Sequence, residues 1–294
     1  MIEYINVPKI FNNIPQWNNP PYHRGPHLEK YFDKFVQKHL KEIDKNISYL
    51  PLYWTDYYVP NSFGKDKIKI KDLQKYLDYL PRDKKYFTVI RNADGVMNDI
   101  SFLDIIVFGA GGFDKGGVAH IPIPLLCDPM PTNHIDKNMK KDIFVGFVGS
   151  DTHKMRREIF NKFKNINNYF IVETGCNNFM NIKEYSEILF RSVFLLCPRG
   201  YGQTSFRLYE SMQVGSIPVY IYDNPWIPFI DEVKWEDFCV FVHEDQIDDI
   251  PNILKSFSSE KIEQMSKSLR ENYIKYFTME QTCKMILNII NKIL

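Results

Sequence analysis

Residues Phe194 to Phe229 read FLLCPRGYGQTSFRLYESMQVGSIPVYIYDNPWIPF. The first apolar run, 193–197, is too short for a helix and is closed by Pro198, which predicts a buried strand. The glycine-containing loop that follows leads into a helix whose predicted end is Gly215. A second apolar run, 217–222, predicts the next strand. We therefore expect this stretch to fold as a strand, a loop, a helix and a strand of an α/β domain.

The predicted helix begins at a place that suits an anion. Thr204 or Ser205 can cap its N-terminus, where unpaired backbone N–H groups and the helix dipole favour a negative group such as a diphosphate. Arg207 and Glu210 are three positions apart and share one face of the helix. An arginine here can hold phosphate oxygens, and the glutamate can accept both hydroxyls of a ribose. From spacing alone, the alternative is a surface ion pair worth roughly a few tenths of a kcal/mol.

Four blocks of this stretch resemble the signature of the exostosin-like, GT47-type glycosyltransferases: CPRG, SFRLYE, GSIPVYI and WIPF. The resemblance covers the C-terminal half well and the N-terminal half only in fragments. It implies an α/β GT-B fold, in which two Rossmann-like domains face a central cleft and the C-terminal domain binds most of the nucleotide-sugar donor. It also implies inversion at the anomeric carbon and no essential metal. On the matching blocks it assigns Arg199, Gly200 and Trp226 to the donor site.

Composition narrows the class of protein. Of the 294 residues, 44% are hydrophobic and 25% are charged, as in ordinary globular proteins. The net charge of +1 argues against a nucleic-acid binder whose affinity depends on neutralising phosphates. Five cysteines without CxxC spacing argue against a disulfide framework or a zinc cluster. The sequence also lacks a DxD triplet, which agrees with a reaction that needs no metal and no cofactor.

The sequence also suggests a location and an origin. It has no N-terminal basic and apolar signal, and no apolar run long enough to span a bilayer. We therefore expect a cytoplasmic protein without a transmembrane segment, unlike the membrane-anchored Golgi members of the family. Abundant Asn, Lys and Ile suggest an AT-rich genome, such as that of a large DNA virus or a microbe. If the chain is viral, its expected location is the host cytoplasm.

We divide the chain into an N-terminal acceptor-side domain, 1–135, and a C-terminal nucleotide-sugar-binding domain, 136–294. The segment 127–141, with two prolines and five charged residues, is the predicted linker. The loop 109–117, GAGGFDKGG, is predicted to be mobile rather than phosphate-binding, because prolines follow it where a helix should begin. The last predicted helix, 279–294, resembles the helix that packs back across the two domains of GT-B proteins.

Three aspartates of the N-terminal half are candidates for the general base of the reaction. The run 49–58 is predicted to be a strand leading into a loop, which places Asp56 at the carboxyl end of a strand, where ligands of α/β sheets gather. The alternative is that Asp56 caps the next turn. Asp94 and Asp99 lie in the loop after the next predicted strand. Family members often carry Asp and His in this loop, whereas no His follows Asp94 here.

A second basic helix is predicted at the start of the C-terminal domain. The apolar strand 143–148 precedes it, and Asp151 or Thr152 can cap it. Arg156 and Arg157 lie in its first turns, where cations oppose the helix dipole, so we expect a bound diphosphate to compensate. Family members have a comparable helix, and the resemblance assigns one of these arginines to the donor. The alternative is a solvated basic face.

The motifs and the resemblance together predict an inverting, metal-independent glycosyltransferase. The expected donor is a UDP-sugar such as UDP-xylose, UDP-galactose, UDP-GlcNAc or UDP-glucuronate, and the expected acceptor is a hydroxyl of a glycan or glycoprotein. Two alternatives stay open: a GT-B transferase that uses GDP-fucose, and a catalytically inactive partner that binds sugar nucleotides or glycans. A dinucleotide-dependent oxidoreductase is disfavoured, because no GxGxxG opens a helix after a strand.

Overall fold

A computed structural model of the chain describes residues 3–12, 23, 27–39, 46–60, 67–112, 115–126, 128–136, 139–175 and 180–294. Within these residues, two sheets of five parallel strands form the framework. The predicted α/β class, with two Rossmann-like units, is confirmed. No helix in the described part of the chain is both long and apolar enough to cross a membrane.

The first sheet has the strand order β1-β2-β3-β4-β5. Its strands are β1 (Glu3–Tyr4), β2 (Ile47–Tyr49), β3 (Lys85–Ile90), β4 (Asp104–Gly109) and β5 (His120–Pro122). The helices of this unit are α1 (Lys9–Asn12), α2 (Leu28–His39), α3 (Trp54–Tyr58) and α4 (Lys67–Asp78). β3 is buried over five successive residues, as expected for a parallel strand that is covered on both faces.

The second sheet has the strand order β10-β9-β8-β6-β7. Its strands are β6 (Ile143–Ser150), β7 (Tyr169–Thr174), β8 (Ser192–Pro198), β9 (Ile217–Tyr222) and β10 (Val240–His243). The helices of this unit are α5 (Lys154–Phe163), α6 (Ile182–Arg191), α7 (Phe206–Gln213), α8 (Ile250–Lys255), α9 (Ser259–Tyr276) and α10 (Met279–Ile293), with 3₁₀ turns at Trp235–Asp237 and Glu244–Asp249.

The stretch β8, α7 and β9 folds in the predicted order, and its helix boundaries have clear causes. Ser205 caps α7, because its hydroxyl accepts the backbone N–H of Arg207. Gly215 follows the helix with a φ of +68°, a left-handed conformation that glycine adopts without strain. The cap fixes where the first turn of α7 begins and therefore where its unpaired N–H groups point, and Gly215 fixes where the helix ends.

Two sequence predictions of local structure are wrong. The run 49–58 does not continue as a strand: β2 ends at Tyr49 and α3 follows. Pro51 has no N–H with which to extend the ladder, and the Glu29 carboxylate accepts the N–H of Thr55 in the first turn of α3, which favours the helix. The cap of α5 is His153 rather than Asp151 or Thr152, since the His153 ring accepts the N–H of Met155.

One continuous hydrophobic core joins the two units. It contains Phe32 and Val36 of α2 together with Ile286 and Ile290 of α10. The C-terminal helix therefore packs against a helix of the N-terminal unit, as the predicted closing helix requires. Two smaller cores lie within the individual units.

Candidate functional site

A cavity of about 190 Å³ lies at the carboxyl edge of the second sheet, beside the start of α7. This is the edge at which parallel α/β sheets collect ligands. The polar side chains that line it come from the ends of β6 and β7, from α5, α6 and α7, from the cap of α7 and from the N-terminal segment: Ser150, Thr174, Arg156, Tyr185, Arg207, Glu210, Ser205 and His23.

Arg207 forms one wall of this cavity from the first turn of α7. Its side chain is buried, and its Nε lies 3.0 Å from Oε2 of Glu210. Its Nη2 donates to the carbonyl of Val148 at the end of β6. Its Nη1 is also buried, but among the described residues no atom accepts a hydrogen bond from it. A buried guanidinium nitrogen without an acceptor beside a cavity is suited to a bound anion.

Glu210 is the carboxylate that faces Arg207, and it is only 2% exposed. Its Oε2 accepts the hydroxyl of Tyr185 at 2.6 Å, and its Oε1 lies 3.1 Å from Nε2 of His23. Burial alone would raise the pKa of Glu210, but the hydrogen bond from His23 and the charge of Arg207 outweigh it and lower the pKa to about 2. The carboxylate is therefore ionised and can act only as an acceptor at neutral pH.

Arg156 contributes a second guanidinium to the same cavity from the first turn of α5. It donates to backbone carbonyls: Nε to Arg199 at 2.9 Å, Nη1 to Ser150 at 3.2 Å and Nη2 to Pro198 at 3.3 Å. Burial lowers the pKa of Arg156 to about 10, and the charge of Arg207 acts in the same direction. In the described part of the chain, no carboxylate forms an ion pair with it. The lining therefore contains two arginines and one carboxylate, and the cavity has a surplus of positive charge.

The neighbouring Arg157 lies outside the cavity. Its side chain is 67% exposed and pairs with Asp151 at 2.7 Å. Arg199 is buried but supports the loop rather than lining the cavity, because it pairs with Asp223 at 2.6 Å and donates to the carbonyl of Gly202 at 3.1 Å. Of the two arginines that the sequence left open on α5, the structure brings Arg156 to the site.

The remaining predicted donor residues shape the loop before α7. A Cβ at Gly200 would lie 3.3 Å from Nη2 of Arg156, so a glycine lets the guanidinium approach the backbone. The carbonyl of Thr204 accepts the N–H of Gly200 at 3.2 Å, which closes the loop. Trp226 does not line the cavity; its indole N–H donates to the carbonyl of Gly109 at 3.1 Å and so bridges the two units.

We call residues 199–205, the loop before α7, the donor-side loop. Residues 109–112 of the glycine-rich loop after β4 pack against it. The N–H of Gln203 donates to the carbonyl of Gly111 at 2.9 Å. A Cβ at Gly202 would lie only 2.2 Å from the same carbonyl, so the two loops touch through glycine backbone. Residues 109–112 make this close backbone contact, whereas Phe113 and Asp114 lie outside the described residues, so the mobility of the loop stays a prediction.

Asp56 belongs to a buried charge cluster of the N-terminal unit, formed by Glu29, Lys30, Asp56 and Arg91. It lies on α3 and pairs with Lys30 at 2.6 Å. Glu29 accepts hydrogen bonds from the N–H and hydroxyl of Thr55 and from the N–H of Arg91. Burial raises the pKa of Glu29 to about 7, and the charge of Asp56 adds to this. The cluster ties α2 and α3 to the loop after β3.

The other two aspartates lie in different surroundings. Asp94 follows β3 at the carboxyl edge of the first sheet, is partly exposed and pairs with Lys115 at 2.6 Å. The adjacent Ala93 lies against Gly202 of the donor-side loop. Asp99 lies beside the C-terminal half of α4, where its carboxylate accepts the N–H and hydroxyl of Ser101, and these hydrogen bonds lower its pKa. Of the three aspartates, Asp94 is the one that the structure places next to the donor-side loop.

Several residues of these two sites were not predicted from the sequence, among them His23, Glu29 and Tyr185. His23 lies in a proline-rich stretch without periodicity, and 187 positions separate it from Glu210. Glu29 sits on the helical pattern of α2 like any charged surface residue. Of these three, only Tyr185 has a local sequence feature that could have indicated its place in the site. It is an aromatic residue on the buried face of a short helix just before the stretch Phe194 to Phe229.

The geometry can now be compared with known proteins. A model of the family described as Exostosin GT47 domain matches residues 106–257, just over half of the chain. This chain belongs to the exostosin GT47 family. The match spans the end of the N-terminal unit and the donor-side loop, Arg156, Arg207 and Glu210. The two Rossmann-like units agree with the GT-B fold that was predicted from the sequence.

Several characterised or named proteins are similar to parts of this GT47 chain. The probable glucuronosyltransferase GUT1 of Oryza sativa is 37% identical over 120 residues, 41% of this chain and 27% of that protein. The probable beta-1,4-xylosyltransferase IRX10 of Arabidopsis thaliana is 32% identical over 163 residues, 51% of this chain and 37% of that protein. The Exostosin-1 homolog of Caenorhabditis elegans is 36% identical over 93 residues, 32% of this chain and 24% of that protein. The matches thus span about a quarter to a third of the length of these relatives.

Among solved structures, an alpha-glucosyltransferase in complex with UDP and DNA aligns with 90% of this chain and 84% of its own, with a TM-score of 0.45 and 12% sequence identity. The structure of TarM aligns with 87% of this chain and 57% of its own, with a TM-score of 0.42 and 12% identity.

Proposed function

We propose that this GT47 domain is an inverting glycosyltransferase that moves a sugar from a UDP-sugar to a hydroxyl of a glycan without a metal ion. One observation carries the proposal: the partly buried Arg156 and the buried Arg207 line one cavity, where Glu210 is the carboxylate among the described lining residues. A diphosphate would supply the missing negative charge. The names of the relatives, glucuronosyltransferase and xylosyltransferase, support UDP-glucuronate and UDP-xylose as the first donors to test.

In the proposed reaction, the nucleoside diphosphate leaves as the new glycosidic bond forms. Arg156, Arg207 and the N–H groups at the start of α7 stabilise the negative charge that develops on it. These donors are already in place, so little reorganisation accompanies the reaction. Glu210 then accepts hydrogen bonds from the ribose, for which its ionised carboxylate is suited.

We propose Asp94 as the base that removes the proton from the acceptor hydroxyl. It lies at the carboxyl edge of the first sheet, and the residue before it contacts the donor-side loop. Its ion pair with Lys115 is a surface pair, with side chains 38% and 58% exposed, which costs little to open. Asp56 is less suited, since it is buried against Lys30.

Calorimetric titration of the protein with UDP, GDP and CMP in the presence of EDTA tests the donor site. We expect UDP to bind, followed by release of UDP when UDP-glucuronate or UDP-xylose is supplied with an oligosaccharide acceptor. Binding of GDP alone would favour the GDP-fucose alternative. If no nucleotide binds, the proposed function is wrong. The anomeric configuration of the product, read by NMR, tests inversion.

The base is tested by comparing Asp94→Asn with Asp99→Asn. Loss of a general base typically reduces turnover by about 10²- to 10⁴-fold, so we expect a loss of this size in Asp94→Asn with an unchanged Kd for UDP. Asp99→Asn is the matched control, because its carboxylate lies beside α4 and should leave turnover nearly unchanged. Equal turnover in the two variants would remove Asp94 from the reaction.

A further inference from the structure

His23 reaches from the N-terminal segment into the donor-side cavity. It lies five positions before the start of α2, yet it lines the cavity beside α7. Its side chain is only 2% exposed. A residue of one unit is therefore built into the pocket of the other, across the cleft between them.

The ring of His23 makes two contacts with α7. It stacks on Phe206, with ring centroids 4.6 Å apart and an interplanar angle of 27°. Its Nε2 lies 3.1 Å from Oε1 of Glu210. Phe206 is the first residue of α7 and Glu210 lies one turn deeper, so the imidazole covers the inner face of the first turn and a half of the helix.

These two contacts are the kind that a nucleoside makes. A nucleoside offers a flat ring that stacks on an aromatic side chain and ribose hydroxyls that donate to a carboxylate. The other oxygen of Glu210, Oε2, is already held by the Tyr185 hydroxyl at 2.6 Å and by Nε of Arg207 at 3.0 Å. A ribose hydroxyl that comes to Glu210 from the cavity therefore approaches the oxygen that His23 contacts.

We propose that His23 competes with the nucleoside of the donor for Glu210 and Phe206, so that the His23 ring must leave α7 when a nucleotide binds. The inference rests on the proposed function, because it takes the cavity to be the nucleotide site. Its consequence is quantitative: the apparent affinity for nucleotide equals the intrinsic affinity multiplied by the fraction of molecules in which the contact is open.

The test is the Kd for UDP, by calorimetry, in the wild type, His23→Ala, His23→Phe and His39→Ala. We expect His23→Ala to bind UDP about tenfold more tightly, which corresponds to about 1.4 kcal/mol. His23→Phe keeps the stacking and loses the hydrogen bond, so its affinity should fall between the two. His39→Ala is the matched control, since His39 also stacks on a phenylalanine, Phe35, at 3.9 Å, but on α2 and outside the cavity.

Hydrogen exchange provides a second measurement that distinguishes competition from a supporting role. With saturating UDP, the wild-type peptide that contains His23 should exchange faster, because His23 no longer contacts α7. Slower exchange of this peptide would overturn the competition and leave the proposed function standing. The same conclusion would follow if the wild type binds UDP and His23→Ala binds it equally well or more weakly. Absence of UDP binding in all four proteins would overturn both. Binding by His23→Ala alone would support both.

Discussion

The two units each bury charged side chains at the carboxyl ends of their strands, but the charges are balanced differently. In the C-terminal unit, Arg156 and Arg207 face one carboxylate, and Nη1 of Arg207 has no acceptor in the described part of the chain. In the N-terminal unit, the carboxylates of Glu29 and Asp56 are both present, with Lys30 and Arg91 close by. One cluster has a surplus of positive charge beside a cavity, and the other has as many carboxylates as cations, although Nε of Arg91 is also buried without an acceptor among the described residues.

The pKa values of the two buried glutamates, Glu210 and Glu29, differ because the charges around them differ. Arg207 and His23 hold Glu210 ionised, with a pKa of about 2, despite its burial. Glu29 has a pKa of about 7, because burial and the nearby Asp56 both disfavour its charged form. Burial is nearly complete for both side chains, so the sign of the shift comes from the neighbouring charges. We infer that a buried charge cluster identifies a ligand site only when its charges are unbalanced beside open space.

The largest expected effect is on stability, from removing Arg207. Loss of one partner of a buried ion pair typically costs about 3 to 5 kcal/mol, because the other charge stays buried without compensation. We expect Arg207→Ala to lose that much free energy of unfolding in a urea titration. Lys284→Ala is the control: its helical ion pair with Glu280 has both side chains more than a third exposed, and its loss should cost less than about 0.5 kcal/mol. Similar losses in both variants would show that the Arg207 pair is no more than a surface contact.

The sequence alone was enough to predict the part of this site that comes from one continuous stretch of chain, β8 to β9. Strand, capped helix and terminal glycine follow from local rules, and the spacing of Arg207 and Glu210 is enough to place them on one face. Adjacent residues of a helix point in different directions, so the choice between Arg156 and Arg157 depended on which face of α5 meets the loop after β8. That is a tertiary fact, and no local pattern contains it.

The N-terminal unit was less predictable for the same reason. The aromatic run that contains Asp56 has strand propensity, but Pro51 and the buried Glu29 carboxylate convert it to a helix. The partner that matters for α3 is 26 positions away in sequence. His23 is the clearest example of a residue that local sequence patterns cannot predict, since only the folded chain brings it to Glu210.

A second prediction uses pH to separate the two clusters. The folded pKa of Glu29 is raised from 4.5 to about 7, so between these values the folded state holds a proton that the unfolded state has released. Stability contributed by Glu29 is therefore full below pH 4.5 and lost as pH rises to 7. The folded pKa of Glu210 is lowered from 4.5 to about 2, so its contribution is full above pH 4.5 and lost as pH falls to 2. Each change amounts to roughly 3 kcal/mol.

Unfolding free energies of the wild type, Glu29→Gln and Glu210→Gln between pH 2.5 and 8 test this. The difference between wild type and Glu29→Gln should shrink, or change sign, as pH rises from 4.5 to 7. The difference between wild type and Glu210→Gln should shrink as pH falls below 4.5. If both differences change in the same direction with pH, the two carboxylates do not sit in opposite electrostatic environments.

The smallest effect is expected on nucleotide affinity, from the two neighbouring arginines of α5. A hydrogen bond to a charged group contributes about 1.5 to 3 kcal/mol, so Arg156→Ala should weaken UDP binding by roughly 10- to 150-fold. Arg157→Ala changes net charge equally but removes an exposed side chain that pairs with Asp151, and its Kd should stay within about twofold of the wild type.

Arg156→Lys refines this last test, because lysine keeps the positive charge but cannot reproduce the planar fork that holds three backbone carbonyls. Affinity retained in Arg156→Lys and lost in Arg156→Ala would mean that charge alone attracts the diphosphate. Loss in both would mean that the fixed geometry of the loop before α7 matters as well. Equal affinity of Arg156→Ala and Arg157→Ala would contradict the distinction drawn between a buried and an exposed cation on the same helix. The attraction would then come from Arg207 and the N–H groups of α7.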